Sequence, residues 1–252
     1  MKFNRPFFIL ALLTLICLPG FAQNNATKLP PEATEVWEPE PRMVTPGSAN
    51  HLPPSDAIVL FDGKNLDKWK SMNGDGAAPW KVEQGYFQVV PRSGGIETKE
   101  SFGDVQLHIE WKAPAVVKGS GQGRGNSGLF FLGRYEVQIL DSYDNRTYSN
   151  GQAGSLYKQH IPLVNATRPP TDWNTYDVIF KGPRFNTDGM VVSPAYVTVL
   201  HNGVLVQNHV ELRGPTEYIG IPAYKAHAAE LPIQLQDHGD LVSFRNIWVR
   251  RL

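Results

Sequence analysis

The chain has 252 residues, 41% of them apolar, with 24 basic and 24 acidic side chains and so no formal net charge. A balanced charge without a basic run excludes the electrostatic footprint of a nucleic-acid-binding protein. The one cysteine, Cys17, excludes a disulfide framework and a cysteine metal site, so a chain of this length has to rest on one large apolar core.

At the N-terminus Lys2 and Arg5 precede an apolar run from Pro6 to Leu18, which Pro19-Gly20 breaks before Phe21-Ala22-Gln23. This is the order of a secretory leader cleaved after residue 22, and the run is shorter than the roughly 20 residues a bilayer requires. The expectation is a secreted or periplasmic protein with no membrane attachment once residues 1–22 are removed. Residues 23–56 follow, with seven prolines between Pro30 and Pro54 and no alternation of apolar and polar positions. They read as an extended arm. The remaining 57–252 carry no internal linker and read as one domain.

Within that domain the apolar period is two. Val105, Leu107, Ile109 and Trp111 alternate with Gln106, His108, Glu110 and Lys112, the pattern of a half-buried strand whose second face is wet. Short strands are expected at 57–61, 80–83, 86–90, 128–132, 134–140 and 232–236. Tyr176, Val178 and Phe180 repeat the alternation. Tyr196 to Leu200 and Val204 to Val206 flank Asn202-Gly203, a hairpin signature. Val242, Phe244 and Trp248 are expected on one face of a last strand. No segment keeps a helical period. Many short strands between Gly, Pro, Asn and Asp turns define an all-β, antiparallel sandwich or barrel.

Two polar clusters stand out. The first runs from Asn126-Ser127-Gly128 to Tyr135-Glu136-Val137-Gln138-Ile139-Leu140-Asp141. Glu136 and Gln138 share one strand face, and Asp141 joins them if the strand ends or bulges before it. Two carboxyls on one surface can divide acid and base roles, because their charges push their proton affinities apart. The second, Gln234 to Asp240 followed by Phe244-Arg245-Asn246, sets His238 between Asp237 and Asp240. That arrangement suits a general base, a metal ligand or a capped turn. Glu110 on its strand, and Tyr157 and Lys158 in a loop, are further candidates for contact with a ligand. The glycine-rich run 119–128 lacks the Gly-Lys-Ser/Thr ending of a phosphate loop.

These stretches, together with Leu60-Phe61-Asp62-Gly63-Lys64-Asn65-Leu66, Trp80-Lys81-Val82-Glu83, Ile109-Glu110-Trp111-Lys112, Trp173-Asn174 and Leu235-Gln236-Asp237-His238-Gly239, occur in an order that resembles one family over about 57–252. The family is the 3-keto-disaccharide hydrolase domain, also described as a 3-keto-glucoside 1,2-lyase/hydratase. The resemblance implies a concanavalin A-like jelly-roll sandwich acting on a small carbohydrate, a 3-keto-glycoside, by C2 proton abstraction and elimination, with water adding back. It implies Glu136, Asp141 and His238 as catalytic residues, with base and acid unassigned, and Asn126, Gln138, Arg245, Glu110, Tyr157 and Lys158 against substrate. Arg245, Asn126 or a divalent metal ion would stabilise the enolate; no other cofactor is expected, and the oligomeric state stays open. Glu136, Gln138 and Asp141 keep the spacing of the E-x-D-x-x-E motif of laminarinase-type glycosidases, but with Gln in the middle and Asp last. That departure weighs against two-carboxylate hydrolysis. The alternative is a non-catalytic carbohydrate-binding module on the same fold.

Overall fold

The computed structural model describes residues 28–252, so the leader expected at 1–22 lies outside the described residues. The chain divides at Met43. Before it, Pro31–Thr34 forms one 3-10 turn, and residues 28–43 are exposed throughout. The second unit, Val44–Leu252, is a β-sandwich.

Its strands are β1 (Ile58–Phe61), β2 (Trp69–Ser71), β3 (Lys81–Glu83), β4 (Tyr86–Gln88), β5 (Ile96–Phe102), β6 (Val105–Lys112), β7 (Ser127–Phe131), β8 (Tyr135–Ile139), β9 (Asn174–Lys181), β10 (Arg184–Phe185), β11 (Val191–Ser193), β12 (Tyr196–His201), β13 (Val204–Glu211), β14 (Leu231–Leu235) and β15 (Ser243–Arg251). One sheet runs β13-β12-β9-β6-β15-β4-β3, with β1 also paired to β15. The other runs β2-β5-β14-β7-β8, and β10-β11 is a separate hairpin. The named pairings are antiparallel. The expected all-β, antiparallel jelly-roll sandwich is the architecture found.

Local chemistry accounts for most of the strands. Val105, Leu107, Ile109 and Trp111 all point into the core at full burial, as their alternation requires. Asn202 and Gly203 take φ of 53° and 78°, the paired positive angles of the turn that matches strand twist. Trp69 and Trp80 are core residues, their indole N–H groups donating to the Leu60 and Gly94 carbonyls at 2.9 and 3.0 Å. β2 and β5 carry no such signal, because Lys70, Ser71 and Thr98 to Ser101 interrupt their apolar positions.

Three expectations need correcting. Trp248 does not share a face with Val242 and Phe244. The register of β15 on β6 shifts between Arg245 and Trp248, where Asn246 has φ of 46°. A bulge of this kind inverts the alternation, so Ile247 and Val249 enter the core while Trp248 stacks on His108 at 5.4 Å. The second face of β6 is not wet either: His108 and Glu110 are buried. Residues 44–56 also pack as part of the sandwich unit. The His51 carbonyl accepts hydrogen bonds from Asn246 Nδ2 (2.8 Å) and Trp248 Nε1 (3.1 Å), and Asp56 takes a two-pronged pair from Arg250 (2.8 Å each).

Candidate functional site

The outer face of the five-stranded sheet carries a cleft of about 730 Å³. Its floor is β8 and β7. Val137 and Ile139 point to the core, so Glu136 and Gln138 point outward, and loops bury them to 5% and 1% exposure. Across the ladder Phe130 is paired with Glu136 and Gly128 with Gln138. Gly128 is a spatial requirement, since a Cβ there would lie 2.7 Å from both Glu136 Oε1 and a Phe130 ring carbon. The Phe130 ring and the Glu136 carboxyl therefore share the space a side chain would fill.

Burial raises the Glu136 carboxyl to about 8, because a charge held away from water is disfavoured. Its one side-chain neighbour of note is Gln138. With the Gln138 amide nitrogen turned toward them, it donates to Glu136 Oε1 at 3.0 Å and to the Ser127 carbonyl at 2.9 Å. A single neutral donor does not offset the loss of solvent.

The walls come from distant segments. Asn126 is fixed by its own N–H to Asp240 Oδ2 (2.8 Å) and by its Nδ2 to the Gln122 carbonyl (2.7 Å). The turn bearing His238 is tied down from both sides. Asp237 accepts from the Gly94 and Gly239 N–H groups (3.0 and 2.9 Å), and the Gln236 carbonyl accepts from Ser127 Oγ (2.7 Å). The two aspartates thus do turn work and leave the imidazole on the rim of the cleft, exposed. On the opposite wall the Tyr148 and Tyr157 hydroxyls are 2.5 Å apart. Burial and the Tyr148 contact hold the Tyr157 phenol well above its ordinary value, so it stays protonated. One of the two phenol protons is spent between them, and the other is available to a ligand oxygen. Lys158 Nζ donates to the Tyr218 carbonyl (2.5 Å) and lies 4.3 Å from that ring.

Six residues expected at a site, Glu136, His238, Asn126, Gln138, Tyr157 and Lys158, therefore line one cleft. Three do not. β8 ends at Ile139, and Asp141 turns away into a buried ion pair with Arg124 Nε (2.7 Å), lining a separate cavity. Glu110 and Arg245 lie on the other sheet, paired at 2.6 Å, with Arg245 stacked 4.2 Å over Trp173. They belong to a network in which His108 Nδ1 meets Asp177 at 2.7 Å. Burial lowers the proton affinity of His108, but the Asp177 and Glu110 carboxylates outweigh it and raise the group to about 9. Gln122, Gly123, Phe130, Tyr148, Thr216, Tyr218 and Gln236 complete the lining, and of these Phe130, Tyr148, Thr216 and Tyr218 have no motif to announce them. Among the described residues no three His, Cys, Asp or Glu side chains stand together as a metal-ligand set. In the cleft Glu136 and His238 are the two side chains of these types.

Fold and site together define an antiparallel β-sandwich with a ligand cleft on one sheet, floored by a single buried carboxyl. Residues 56–250 match the model of the 3-keto-α-glucoside-1,2-lyase-like domain. The chain belongs to that family. It is 26% identical, over 77% of its length and 78% of the relative's, to a 3-keto-disaccharide hydrolase of Bacteroides thetaiotaomicron. It is 51% identical to a candidate glycosyl hydrolase from Parabacteroides distasonis of known crystal structure, with a TM-score of 0.85 over 90% of this chain and 98% of that one. A second Parabacteroides distasonis structure, at 21% identity and a TM-score of 0.57, covers 78% of this chain and 94% of its own and shares the fold.

Proposed function

We propose that the protein cleaves the glycosidic bond of sugars oxidised to a ketone at C3, by elimination followed by addition of water, outside the cytoplasm. One observation carries the reading: Glu136 is the single carboxyl group lining the cleft. Hydrolysis of an unactivated glycoside takes two carboxyls flanking the bond, and Asp141 is committed to Arg124. Elimination next to a ketone takes one base. The C2–H electron pair moves into a C2–C3 double bond, leaving the enolate charge on O3. Re-forming the C3 carbonyl then creates the C1–C2 double bond and expels the glycosidic oxygen, which takes up a proton. Water adding at C1 completes a net hydrolysis.

Glu136 serves as the base: its raised proton affinity makes the ionised form a stronger proton acceptor near neutrality. Asn126 and the spare Tyr148–Tyr157 proton are the donors for the enolate oxygen. His238, on the rim, supplies the proton to the leaving oxygen. Family membership and the relative's name support a carbohydrate substrate. The leader-like residues 1–22 support export. The test is purified protein with 3-keto-trehalose, with trehalose, and with substrate deuterated at C2. Turnover of the oxidised sugar alone, slowed by deuterium, is expected; equal rates on oxidised and unoxidised sugar end the mechanism.

A further inference from the structure

The cleft does not end at His238. That residue also borders an open hollow formed by Pro91, Arg92, Asp237 and Gly239. The hollow in turn shares Pro91 and Gly239 with the cavity of about 480 Å³ that holds Asp141. Cleft, hollow and cavity are therefore strung along one turn, residues 237–241. The turn is pinned from both sides. Asp240 Oδ2 accepts from the Asn126 N–H (2.8 Å), next to the cleft, and the Leu241 carbonyl accepts from Gln88 Nε2 (3.4 Å), next to the cavity.

The far cavity has an apolar wall, made by Pro91, Pro114, Ala115, Val116, Val117 and Leu241. Val116, Val117 and Leu241 are 68%, 48% and 45% exposed, an apolar patch left open to water beside the cleft. Most of the polar groups around it are spent on other partners. Arg124 Nε donates to Asp141 Oδ2 (2.7 Å) and Arg124 Nη2 to the Tyr143 carbonyl (2.8 Å), and Gln88 Nε2 donates to Ser243 Oγ (3.0 Å). Lys118 is exposed and keeps its charge in water. In the hollow, each Asp237 oxygen is taken by a backbone N–H, one from Gly94 and one from Gly239. Arg92 has no hydrogen bond or ion pair among the described residues. It occupies the third place of the 90–93 turn, closed by the Ser93 N–H on the Val90 carbonyl (3.1 Å), at a φ of 69°, where glycine is the usual occupant. A free guanidinium packs well on the flat face of an aromatic ring.

We infer that this passage binds the group expelled from C1, and that this group is an aromatic aglycone of more than one ring. The inference rests on the proposed elimination. The keto sugar occupies the cleft over Glu136. The glycosidic oxygen lies at His238, which protonates it. The aglycone runs past Arg92 toward Val116, Val117 and Leu241, and its burial there takes apolar surface of both partners out of water. A second sugar in the same place would set its hydroxyl groups against those hydrocarbon side chains and gain less.

The test compares kcat/KM on 4-biphenylyl and phenyl 3-keto-glucosides, whose leaving groups are similar in acidity but differ by one ring. It is run on the parent and on Val117→Asn combined with Leu241→Asn, with methyl 3-keto-glucoside as the control. The parent is expected to prefer the two-ring substrate. The double variant should lose about tenfold of that preference, the worth of about two buried methylene groups, and turn over the methyl glycoside at the parent's rate. A parent without the preference, or a preference unchanged by the substitutions, overturns the assignment while leaving the elimination standing. If the double variant does not fold, Val117→Asn alone is read in the same way. Should the parent turn over no ketone, the elimination fails, and titration calorimetry with the unoxidised 4-biphenylyl and phenyl glucosides still reads the passage. Tighter binding of the first, lost in the variant, supports the assignment. Equal binding, no binding, or a difference that survives the substitutions overturns it.

Discussion

Replacing Glu136 by glutamine should make the protein more stable, by an amount that depends on pH. The folded carboxyl titrates near 8, against an ordinary value of 4.5. Below pH 4.5 both folded and unfolded states hold the proton, and the group contributes no difference. From 4.5 upward the unfolded chain releases its proton while the folded chain keeps it, so stability falls by about 1.4 kcal/mol per pH unit until pH reaches 8. The cost at pH 7 is on the order of 3 kcal/mol. Glutamine has nearly the same shape and no proton to lose, so the variant escapes that cost. For a domain of this size it should melt about 6–12 °C above the parent at pH 7, with little gap at pH 4.5 and a constant gap above pH 8. Turnover should fall by roughly 10²–10⁴ at every pH, the usual worth of a positioned base. Calorimetric melting at pH 4.5, 7 and 9 reads the first effect and initial rates the second. A melting gap that does not change with pH would refute the claim that burial governs this carboxyl, and with it the assignment of Glu136 as base.

Three further outcomes are expected. Asp141→Asn should cost stability, because Arg124 is left without its buried partner, yet lower turnover only modestly; a loss of two or more orders of magnitude with unchanged melting would return Asp141 to the catalytic set. Gly128→Ala should abolish turnover with the strands intact by circular dichroism, since its Cβ would sit 2.7 Å from both Glu136 and Phe130; an active variant would show that neither group needs its present position. His108→Gln should destabilise by about 2 kcal/mol at pH 6, discounting for the partly exposed Asp177. A histidine raised to about 9 contributes most below pH 6.5 and loses its contribution as pH climbs to 9, so urea unfolding should show the deficit shrinking by pH 9.5.

Much of the fold was legible because strand periodicity is local. Val105 to Trp111, the Asn202-Gly203 turn and the run through Glu136 and Gln138 announce their faces within a few residues. Reading failed where a backbone irregularity reset the count. Asn246 inverts β15 and carries Trp248 away from the core, and the end of β8 at Ile139 releases Asp141 to Arg124. Reading also failed where side chains of a strand distant in sequence cover a face, as Trp248 covers His108 and Arg245 and Asn246 cover Glu110. Tyr148 and Thr216 carry no signal at all, since each reaches the cleft from a different loop.

From its sequence alone this chain is an antiparallel, all-β domain with an acid, an amide and an imidazole in reserve, because composition and a period of two depend on neighbours along the chain. Only the tertiary structure chose which of them meet. Burial of one carboxyl follows from contacts between separate segments, as where Thr216 meets the Glu136 backbone across 80 positions, and no local pattern encodes those.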